Sequence, residues 1–415
     1  MEPGDRVRVE RAGTRYEGVL LPSSTSTHAV LKLDGGYNVG IERSPASFEV
    51  VAGNVRDVEQ AQAVDGTSQA AFDEELPTIA LISTGGTIAS TVDYRTGAVT
   101  AQFDAEDVLR AVPDLAGRAN YRGRVVANML SENMDPAVWV ELAEAIHEEI
   151  ADGADGVVVM HGTDTMQYTA SAMAFMLETP VPIVFTGSQR SADRPSSDNV
   201  MNAVCAVETA KADAAEVLVC MHATGSDDRC AIHRATRVRK NHTSRRAAFE
   251  TVGAQPIGTV EWATERVTFE RAPSPREAQE LAVSPELSSA VELVKFVPGM
   301  DVQALDYVEG AAGLVLEGTG LGHVNTELLP RVRELIDDGT TVVMTSQSLD
   351  GRVCDRVYET GRDLLDAGVI EGGTTLPETM LVKLMWLLAN RPAEVETMVG
   401  RSMAGEAPAR TRPWR

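Results

Sequence analysis

The sequence predicts an α/β protein with a small β-barrel at its N-terminus, followed by two α/β domains with parallel sheets. Three observations lead to this fold class. Short apolar segments separated by turn residues fill positions 1–50, a polar and acidic stretch covers 51–77, and apolar strands alternate with helical patterns from position 78 onward. Such alternation is typical of a parallel sheet covered by crossover helices. We expect the first α/β domain to span 78–280 and the second to span 281–415.

The first 50 residues contain four segments with the composition of short strands, each bounded by turn residues. These segments are Arg6–Val9, Tyr16–Leu21, Ala29–Leu33 and Tyr37–Ile41. Asp34-Gly35-Gly36 separates the last two and is typical of a hairpin turn. Together the four strands predict an SH3-like barrel. The Gln-, Ala-, Ser- and Asp-rich residues 51–77 predict an acidic linker.

Apolar strands and amphipathic helices alternate through the remainder of the chain. The first predicted strands are Ile79–Ser83, Gly156–Met160, Ile183–Gly187 and Val217–His222, and the first predicted helices are Pro136–Ala151, Asp164–Leu177 and Asp198–Ala210. Residues 245–295 are rich in Glu, Pro and Ser and give few helical signals, so the boundary between the two domains is expected near Pro275–Leu287. A second α/β set is then predicted at Gly313–Leu316, Arg331–Asp338, Thr341–Thr345 and Arg362–Ala367, with a final helix at Pro377–Leu388.

The charge composition favours a protein from a halophile. The net charge is −24, and nearly all basic residues are Arg, with Lys only at positions 32, 211, 240, 295 and 383. Concentrated salt screens the repulsion within such an acidic surface, although an ordinary acidic protein is the alternative. No apolar run approaches the roughly 20 residues that span a bilayer. Because Met1–Glu10 also lacks a signal-peptide core, we expect a cytoplasmic protein without a membrane segment.

Four side chains invite comparison with a zinc site. Cys220, His222, Cys230 and His233 form a C-x-H…C-x-x-H pattern. Its spacing fits no zinc motif well, and small apolar cysteines in a buried strand usually serve packing. We therefore favour packing, and we expect neither a metal nor a disulfide in a chain expected to be cytoplasmic.

Two strand-to-loop junctions carry the residues with the strongest chemical signal. Val157–Met160 runs into His161-Gly162-Thr163-Asp164-Thr165, and Ile79–Ser83 runs into Thr84-Gly85-Gly86-Thr87. Open α/β sheets place their chemistry at such junctions, and two hydroxyls with a carboxylate favour nucleophilic catalysis without a metal. In the alternative interpretation, Thr163 or Asp164 caps the next helix. His161 is expected to be structural, and neither loop matches a phosphate-binding or dinucleotide-binding pattern.

A dense basic island stands out in this acidic chain at Arg234–Arg246. Such a patch attracts RNA phosphate or an anionic substrate. The alternative is a set of ion pairs with nearby carboxylates, and the sequence leaves both open. Lys240 is the one lysine within the island.

Four motifs, in order, resemble those of the type I/II L-asparaginases. They are Thr-Gly-Gly-Thr-Ile at 84–88, His-Gly-Thr-Asp-Thr-Met at 161–166, Thr-Gly-Ser-Gln-Arg at 186–190 and Arg-Lys-Asn-His-Thr-Ser at 239–244. The similarity extends from about residue 78 to near the C-terminus. It implies an asparaginase-like α/β fold and hydrolysis of a side-chain amide.

The resemblance also implies the catalytic residues. Thr87 matches the nucleophile, and Thr163, Asp164 and Lys240 match a second catalytic set. These roles are chemically sound, because a threonine hydroxyl needs a base, and a lysine serves as one only when burial or a neighbouring charge makes its neutral form accessible. Asp164 would orient the lysine and hold the α-ammonium group of the substrate.

The resemblance also implies residues for substrate binding. Ser131 matches the position that binds the substrate α-carboxylate, Glu132 the position that faces its α-amino group, and Gly86 belongs to the first motif. Tyr94 is a candidate for the mobile tyrosine of the family, but its flanking residues differ from the usual lid. The choice between asparagine and glutamine therefore stays open.

The N-terminal barrel and linker resemble those of a narrower family, the D subunits of the archaeal glutamyl-tRNA(Gln) amidotransferase. This resemblance implies a glutaminase that supplies ammonia to an E subunit, which would use ATP and Mg²⁺ and make most contacts with Glu-tRNA(Gln). The chain itself would need no cofactor and would form a homodimer core within a heterotetramer. The alternatives are a free-standing asparaginase with an accessory barrel and a binding scaffold with a retired active site.

Overall fold

The protein is described from a computed structural model. Its described residues are 5–11, 13–21, 28–33, 38–44, 46–53, 72–85, 112–190 and 196–407. The predicted hairpin turn at 34–36 and most of the predicted linker lie outside these ranges. Within them, no helix is long and apolar enough to cross a membrane.

An antiparallel five-stranded sheet forms the N-terminal part. Its strands are β1 (Arg6–Arg11), β2 (Thr14–Leu21), β3 (His28–Leu33), β4 (Asn38–Glu42) and β5 (Ser47–Ala52). The strand order is β4-β3-β2-β1-β5, and the core contains Val7, Val9, Leu20, Leu31 and Ile41. The four predicted strands are confirmed, and β5 is an addition. No pairing of β4 with β5 closes the sheet among the described residues.

The central sheet has eight strands in the order β16-β15-β12-β11-β10-β8-β6-β7. The strands from this part of the chain are β6 (Thr78–Ser83), β7 (Asn120–Val125), β8 (Gly156–Met160), β9 (Leu177–Glu178), β10 (Ile183–Thr186), β11 (Val217–His222), β12 (Arg229–Arg234), β13 (Val238–Lys240), β14 (Phe249–Thr251), β15 (Gly258–Glu261), β16 (Arg266–Phe269) and β17 (Ala282–Val283). β6, β7, β8, β10 and β11 are parallel, whereas β12, β15 and β16 add on antiparallel. The sheet is therefore mixed: the predicted parallel arrangement is confirmed for five strands, and three antiparallel strands extend it.

Helices cover both faces of this sheet. They are α1 (Pro136–Ala151), α2 (Met166–Met176) and α3 (Asn199–Lys211). Alternate strand residues serve opposite layers, since Val157 and Val159 pack in the cluster with α1 and α2, while Val158 packs in the cluster with α3. α1 has the predicted bounds. It begins at Pro136 because Asp135 accepts hydrogen bonds from the backbone of Ala137 and Val138, and proline suits the first turn of a helix.

The second sheet is wholly parallel, in the order β18-β19-β20-β21. Its strands are β18 (Val291–Lys295), β19 (Gly313–Gly318), β20 (Thr341–Ser346) and β21 (Ile370–Glu371), and the helices of this part are α4 (Leu329–Asp337), α5 (Glu359–Asp366), α6 (Pro377–Asn390) and α7 (Val395–Met398). α6 packs against α2 of the first part, so one apolar cluster continues through both sheets.

Candidate active site

The carboxyl ends of β6, β8 and β10 lie side by side at one edge of the central sheet. Ser83 and Thr186 both pair with Met160, the last residue of β8. The loops that follow pack tightly against each other: a Cβ on Gly187 would lie 2.5 Å from the carbonyl oxygen of His161 and 3.0 Å from Cγ2 of Thr163. This edge therefore brings the loops after β8 and β10 together, next to the end of β6.

Lys240, at the end of β13, reaches into this edge. Its Nζ donates to Oγ1 of Thr163 at 2.8 Å and to Oδ1 of Asp164 at 2.7 Å. The lysine side chain is 10% exposed, whereas the Asp164 side chain is 67% exposed. The structure thus joins three sequence-predicted residues into one cluster in which the nearly buried Nζ of Lys240 links a hydroxyl to a solvent-facing carboxylate.

Neither Thr163 nor Asp164 caps the following helix. α2 begins at Met166 rather than at Asp164, and its N-cap is Thr165, which makes no side-chain capping bond. The Thr165 hydroxyl instead donates to the carbonyl oxygen of Ser131 at 2.7 Å. The capping interpretation is therefore wrong, and the side chains of Thr163 and Asp164 remain available to Lys240.

The predicted carboxylate-binding loop lies directly beside the cluster. Ser131 is buried and opens a single 3-10 turn, Ser131–Asn133. It can approach because Gly162 has no side chain, since a Cβ there would lie 2.7 Å from Cβ of Ser131. Glu132 is exposed to solvent next to it.

Three predicted site residues, Gly86, Thr87 and Tyr94, lie outside the described residues. The described segment ends at Gly85, whose φ of +105° favours glycine. A Cβ there would lie 2.4 Å from the carbonyl oxygen of Met129. The chain therefore leaves β6 directly against the loop that carries Ser131.

His161 is buried, and burial lowers its pKa to about 4, so the ring is neutral near pH 7. Its Nδ1 is 2.6 Å from the carbonyl oxygen of Gly162, and the ring lies 6.1 Å from that of Phe185. These contacts support the predicted structural role for this histidine.

The basic island is an array of ion pairs and buried contacts. Its arginines pair with carboxylates as Arg234–Glu216, Arg239–Glu378, Arg245–Glu250 and Arg246–Asp227. Arg237 is 3% exposed and donates to the backbone carbonyls of Thr374 and Glu406. The ion-pair interpretation is therefore favoured over direct contact with RNA. Sequence reasoning missed these partners because no local pattern links them to the island, and several lie in the second part of the chain.

The suspected zinc ligands have protein hydrogen-bond partners, and His222 and Cys230 share one of them, since Cys230 Sγ donates to Oδ1 of Asn202 at 3.5 Å. His222 Nδ1 is 2.6 Å from Oδ1 of Asn202, and His233 Nδ1 is 2.7 Å from Oγ1 of Thr251. Cys220 and Cys230 are free and buried. In the described part of the chain, no group of three or more His, Cys, Asp or Glu side chains is arranged to hold a metal ion.

Three family models match consecutive parts of the chain. "GatD N-terminal domain" matches residues 1–51, "Asparaginase, N-terminal" matches 78–275, and "Glutaminase/Asparaginase C-terminal domain" matches 290–398. Among solved structures, the thermostable L-asparaginase from Thermococcus kodakarensis is 33% identical, with a TM-score of 0.71, and the match covers 80% of this chain and 100% of that chain. L-asparaginase I from Vibrio cholerae is 27% identical, with a TM-score of 0.69, over 80% of this chain and 99% of that one. The fold and the Thr163-Asp164-Lys240 cluster thus define an amidohydrolase of the asparaginase class.

Curated relatives narrow this class further. The D subunit of glutamyl-tRNA(Gln) amidotransferase from Halobacterium salinarum is 64% identical over 423 residues, which cover 100% of this chain and 99% of that protein. The D subunits of the same enzyme from Haloquadratum walsbyi and Methanosarcina mazei are 62% and 51% identical, covering 99% and 97% of both chains. The chain belongs to the family of glutamyl-tRNA(Gln) amidotransferase D subunits.

Proposed function

We propose that this chain is the glutaminase component of a tRNA-dependent amidotransferase that converts Glu-tRNA(Gln) to Gln-tRNA(Gln). The observation that carries the proposal is the contact of Lys240 Nζ with both Thr163 and Asp164, in a chain of the D-subunit family. A binding scaffold with a retired active site would have no need of this cluster.

In the proposed reaction, the hydroxyl of Thr87 attacks the side-chain amide carbon of glutamine. The hydroxyl proton passes to the base and then to the leaving nitrogen, so that ammonia departs and an acyl-threonine ester forms. Water then attacks the ester and releases glutamate. Lys240 acts with Thr163 as the proton-transfer set, and the carboxylate of Asp164 orients the lysine at 2.7 Å.

Substrate binding is proposed for the residues around this cluster. Ser131 would bind the α-carboxylate of glutamine, and Glu132 with Asp164 would face its α-ammonium group. Gly86 would permit close approach of the backbone, and Tyr94 would cover the substrate. Two observations support these assignments. Ser131 is buried against Gly162 beside the cluster, and the carboxylates of Glu132 and Asp164 are exposed, where they can face a positively charged group.

The assembly around the chain is proposed on the same basis. An E subunit would bind ATP, Mg²⁺ and most of Glu-tRNA(Gln), and this chain, without a cofactor of its own, would form a cytoplasmic homodimer core within a heterotetramer. We also infer that the N-terminal sheet closes into the SH3-like barrel, with domain limits at 1–50, 51–77, 78–280 and 281–415. The family match over residues 1–51 supports this inference.

Replacing Thr87 with Val tests the nucleophile. The chain, purified in molar salt, should release ammonia from glutamine, and the variant should lose this activity while its circular dichroism spectrum stays the same. Thr397→Val, a matched change at an exposed threonine, is the control and should retain activity. Denatured wild-type protein quenched during turnover should carry an acyl mass increment that the Thr87→Val variant lacks. Full activity in that variant would refute the assigned nucleophile.

A further inference from the structure

The segment that precedes Lys240 in the chain is hydrogen-bonded to the second part of the chain. It consists of one 3-10 turn, Ala235–Arg237, followed directly by β13. The backbone carbonyls of this turn accept hydrogen bonds from the hydroxyls of Ser171 and Thr379, at 3.3 and 3.2 Å. Its position therefore depends on α2 and α6 rather than on the central sheet alone.

Arg237 makes the deepest of these contacts. The residue is 3% exposed, and its NH1 donates to the carbonyl oxygen of Thr374 at 2.9 Å and to that of Glu406 at 2.7 Å. Thr236 adds a hydrogen bond from its hydroxyl to the carbonyl oxygen of Ala404 at 2.9 Å. The Nε of Arg237 is buried without a hydrogen-bond partner among the described residues. Burying an arginine with only part of its hydrogen-bonding capacity used is costly, which argues that the NH1 contacts fix a specific geometry.

The segment that accepts the hydrogen bonds of Thr236 and Arg237 is itself held in place by a buried ion pair. We define residues Arg401–Glu406 as the C-terminal strap. The carboxylate of Glu406 accepts from Lys383 Nζ at 2.7 Å and from the backbone nitrogen of Ala404 at 2.8 Å, and both charged side chains are fully buried. Lys383 also donates to the carbonyl oxygens of Val399 and Arg401. The strap is therefore locked to α6.

We propose that Arg237 is a positioning residue which, through the C-terminal strap, sets the place of Lys240 Nζ between Thr163 and Asp164. The strap-to-turn contacts end three residues before the lysine, and the intervening Arg239 is held by Glu378 of α6 at 3.1 Å. Lys240 itself has its backbone nitrogen 3.4 Å from Oε1 of Gln167. The second part of the chain thus positions the proton-transfer set, an inference that rests on the proposed function.

The test compares Arg237→Gln with Arg245→Gln, which makes the same charge change at an exposed arginine in the same island. Displacing a proton-transfer group by a fraction of an ångström to an ångström costs about ten- to a hundredfold in rate. We expect Arg237→Gln to lose about that much kcat for glutamine with KM within about twofold. Arg237→Lys should recover part of the loss, and Arg245→Gln should match the wild type.

A second readout needs no turnover. With Lys at only five positions, ¹³Cε-lysine labelling gives a simple NMR spectrum in which Lys240→Arg identifies the Lys240 resonance. This resonance should move in Arg237→Gln and stay in place in Arg245→Gln. If Arg237→Gln fails to fold, Thr236→Val removes a single hydrogen bond to the strap and should move the same resonance and lower kcat to a smaller degree.

An unchanged Lys240 resonance together with unchanged kcat would overturn the proposal, as would a loss of kcat that only follows the loss of folded protein. Wild-type protein that hydrolyses neither glutamine nor asparagine, alone or with its partner subunit, would refute the proposed function instead. The NMR comparison would still decide the positioning claim in that case.

Discussion

Two lysines of this lysine-poor chain show how the same ion pair serves different ends. Lys240 pairs with Asp164 at the edge of the central sheet, and Lys383 of α6 pairs with Glu406 of the C-terminal strap. The N–O distance is 2.7 Å in each pair. The Asp164 side chain is 67% exposed, whereas both members of the second pair are 0% exposed. Only Lys240 also contacts a hydroxyl, that of Thr163, whereas Lys383 is surrounded by backbone carbonyls. An ion pair with an exposed carboxylate and a neighbouring hydroxyl, as at Lys240, is suited to catalysis. A fully buried ion pair, as at Lys383, is suited to holding the fold together.

The largest expected effect separates the two sites by activity. Lys240→Met should lower kcat at least about a thousandfold, because losing one member of a proton-transfer set removes most of its catalysis. Its free energy of unfolding should change little, since Asp164 stays solvated. The measurement is ammonia release at saturating glutamine, and Lys295→Met, which replaces an exposed lysine, is the control. Retained activity in Lys240→Met would contradict the proposed role of Lys240 in proton transfer.

The second effect separates them by stability. Lys383→Met leaves the Glu406 carboxylate buried without its cation, which should lower the free energy of unfolding by about 3–5 kcal/mol. The double variant Lys383→Met/Glu406→Leu should recover part of this loss, because it removes the unpaired charge. Urea denaturation in fixed salt measures both. If Lys383→Met is as stable as the wild type, the buried pair does not hold the strap.

The carboxylate of Asp355 extends the comparison of the two ion pairs, because it is buried without a lysine partner in the described part of the chain. Asp355 is 0% exposed, and neither oxygen has a hydrogen-bond partner among the described residues. Burial, with a smaller contribution from Glu371, raises the pKa of Asp355 to about 7. Its folded-state pKa lies above the unfolded value of about 3.9, so stability is complete below that value and falls as pH rises through 7.

Asp355→Asn should remove this pH dependence. The variant should be more stable than the wild type by about 1–3 kcal/mol at pH 8 and similar to it near pH 4. Denaturation midpoints at several pH values provide the measurement. Asp366→Asn, at an exposed aspartate in the same part of the chain, should give the same difference from wild type at pH 5 and pH 8. A constant difference for Asp355→Asn would show that its carboxyl is not buried in solution.

Local patterns predicted the strands and helices that depend on local physics. The continuous apolar run of β8 and the Asp135-Pro136 start of α1 gave the correct boundaries. The antiparallel additions β15 and β16 were missed because each has only 4 residues, too few for the alternation of polar and apolar side chains to stand out. β18 was missed because its glutamate and lysine dilute the apolar signal.

The site depended on contacts that no local pattern encodes. Lys240 and Thr163 are 77 positions apart, and only the resemblance to a family joined them before the fold was known. Arg237 and Glu406 are 169 positions apart and belong to no recognised motif, so the strap was not foreseen. Gly162 has a clear reason in the structure, the approach of Ser131, but a glycine in a loop does not reveal what approaches it.

The central claim, that this chain supplies ammonia to a partner, is tested most directly by measuring glutamine hydrolysis alone and with the E subunit, ATP, Mg²⁺ and Glu-tRNA(Gln). We predict slow hydrolysis of glutamine by the chain alone and a marked increase with the complete set, with the released ammonia appearing in Gln-tRNA(Gln). Rapid hydrolysis of asparagine by the chain alone, unaffected by the partner and tRNA, would contradict the account and identify a free-standing asparaginase.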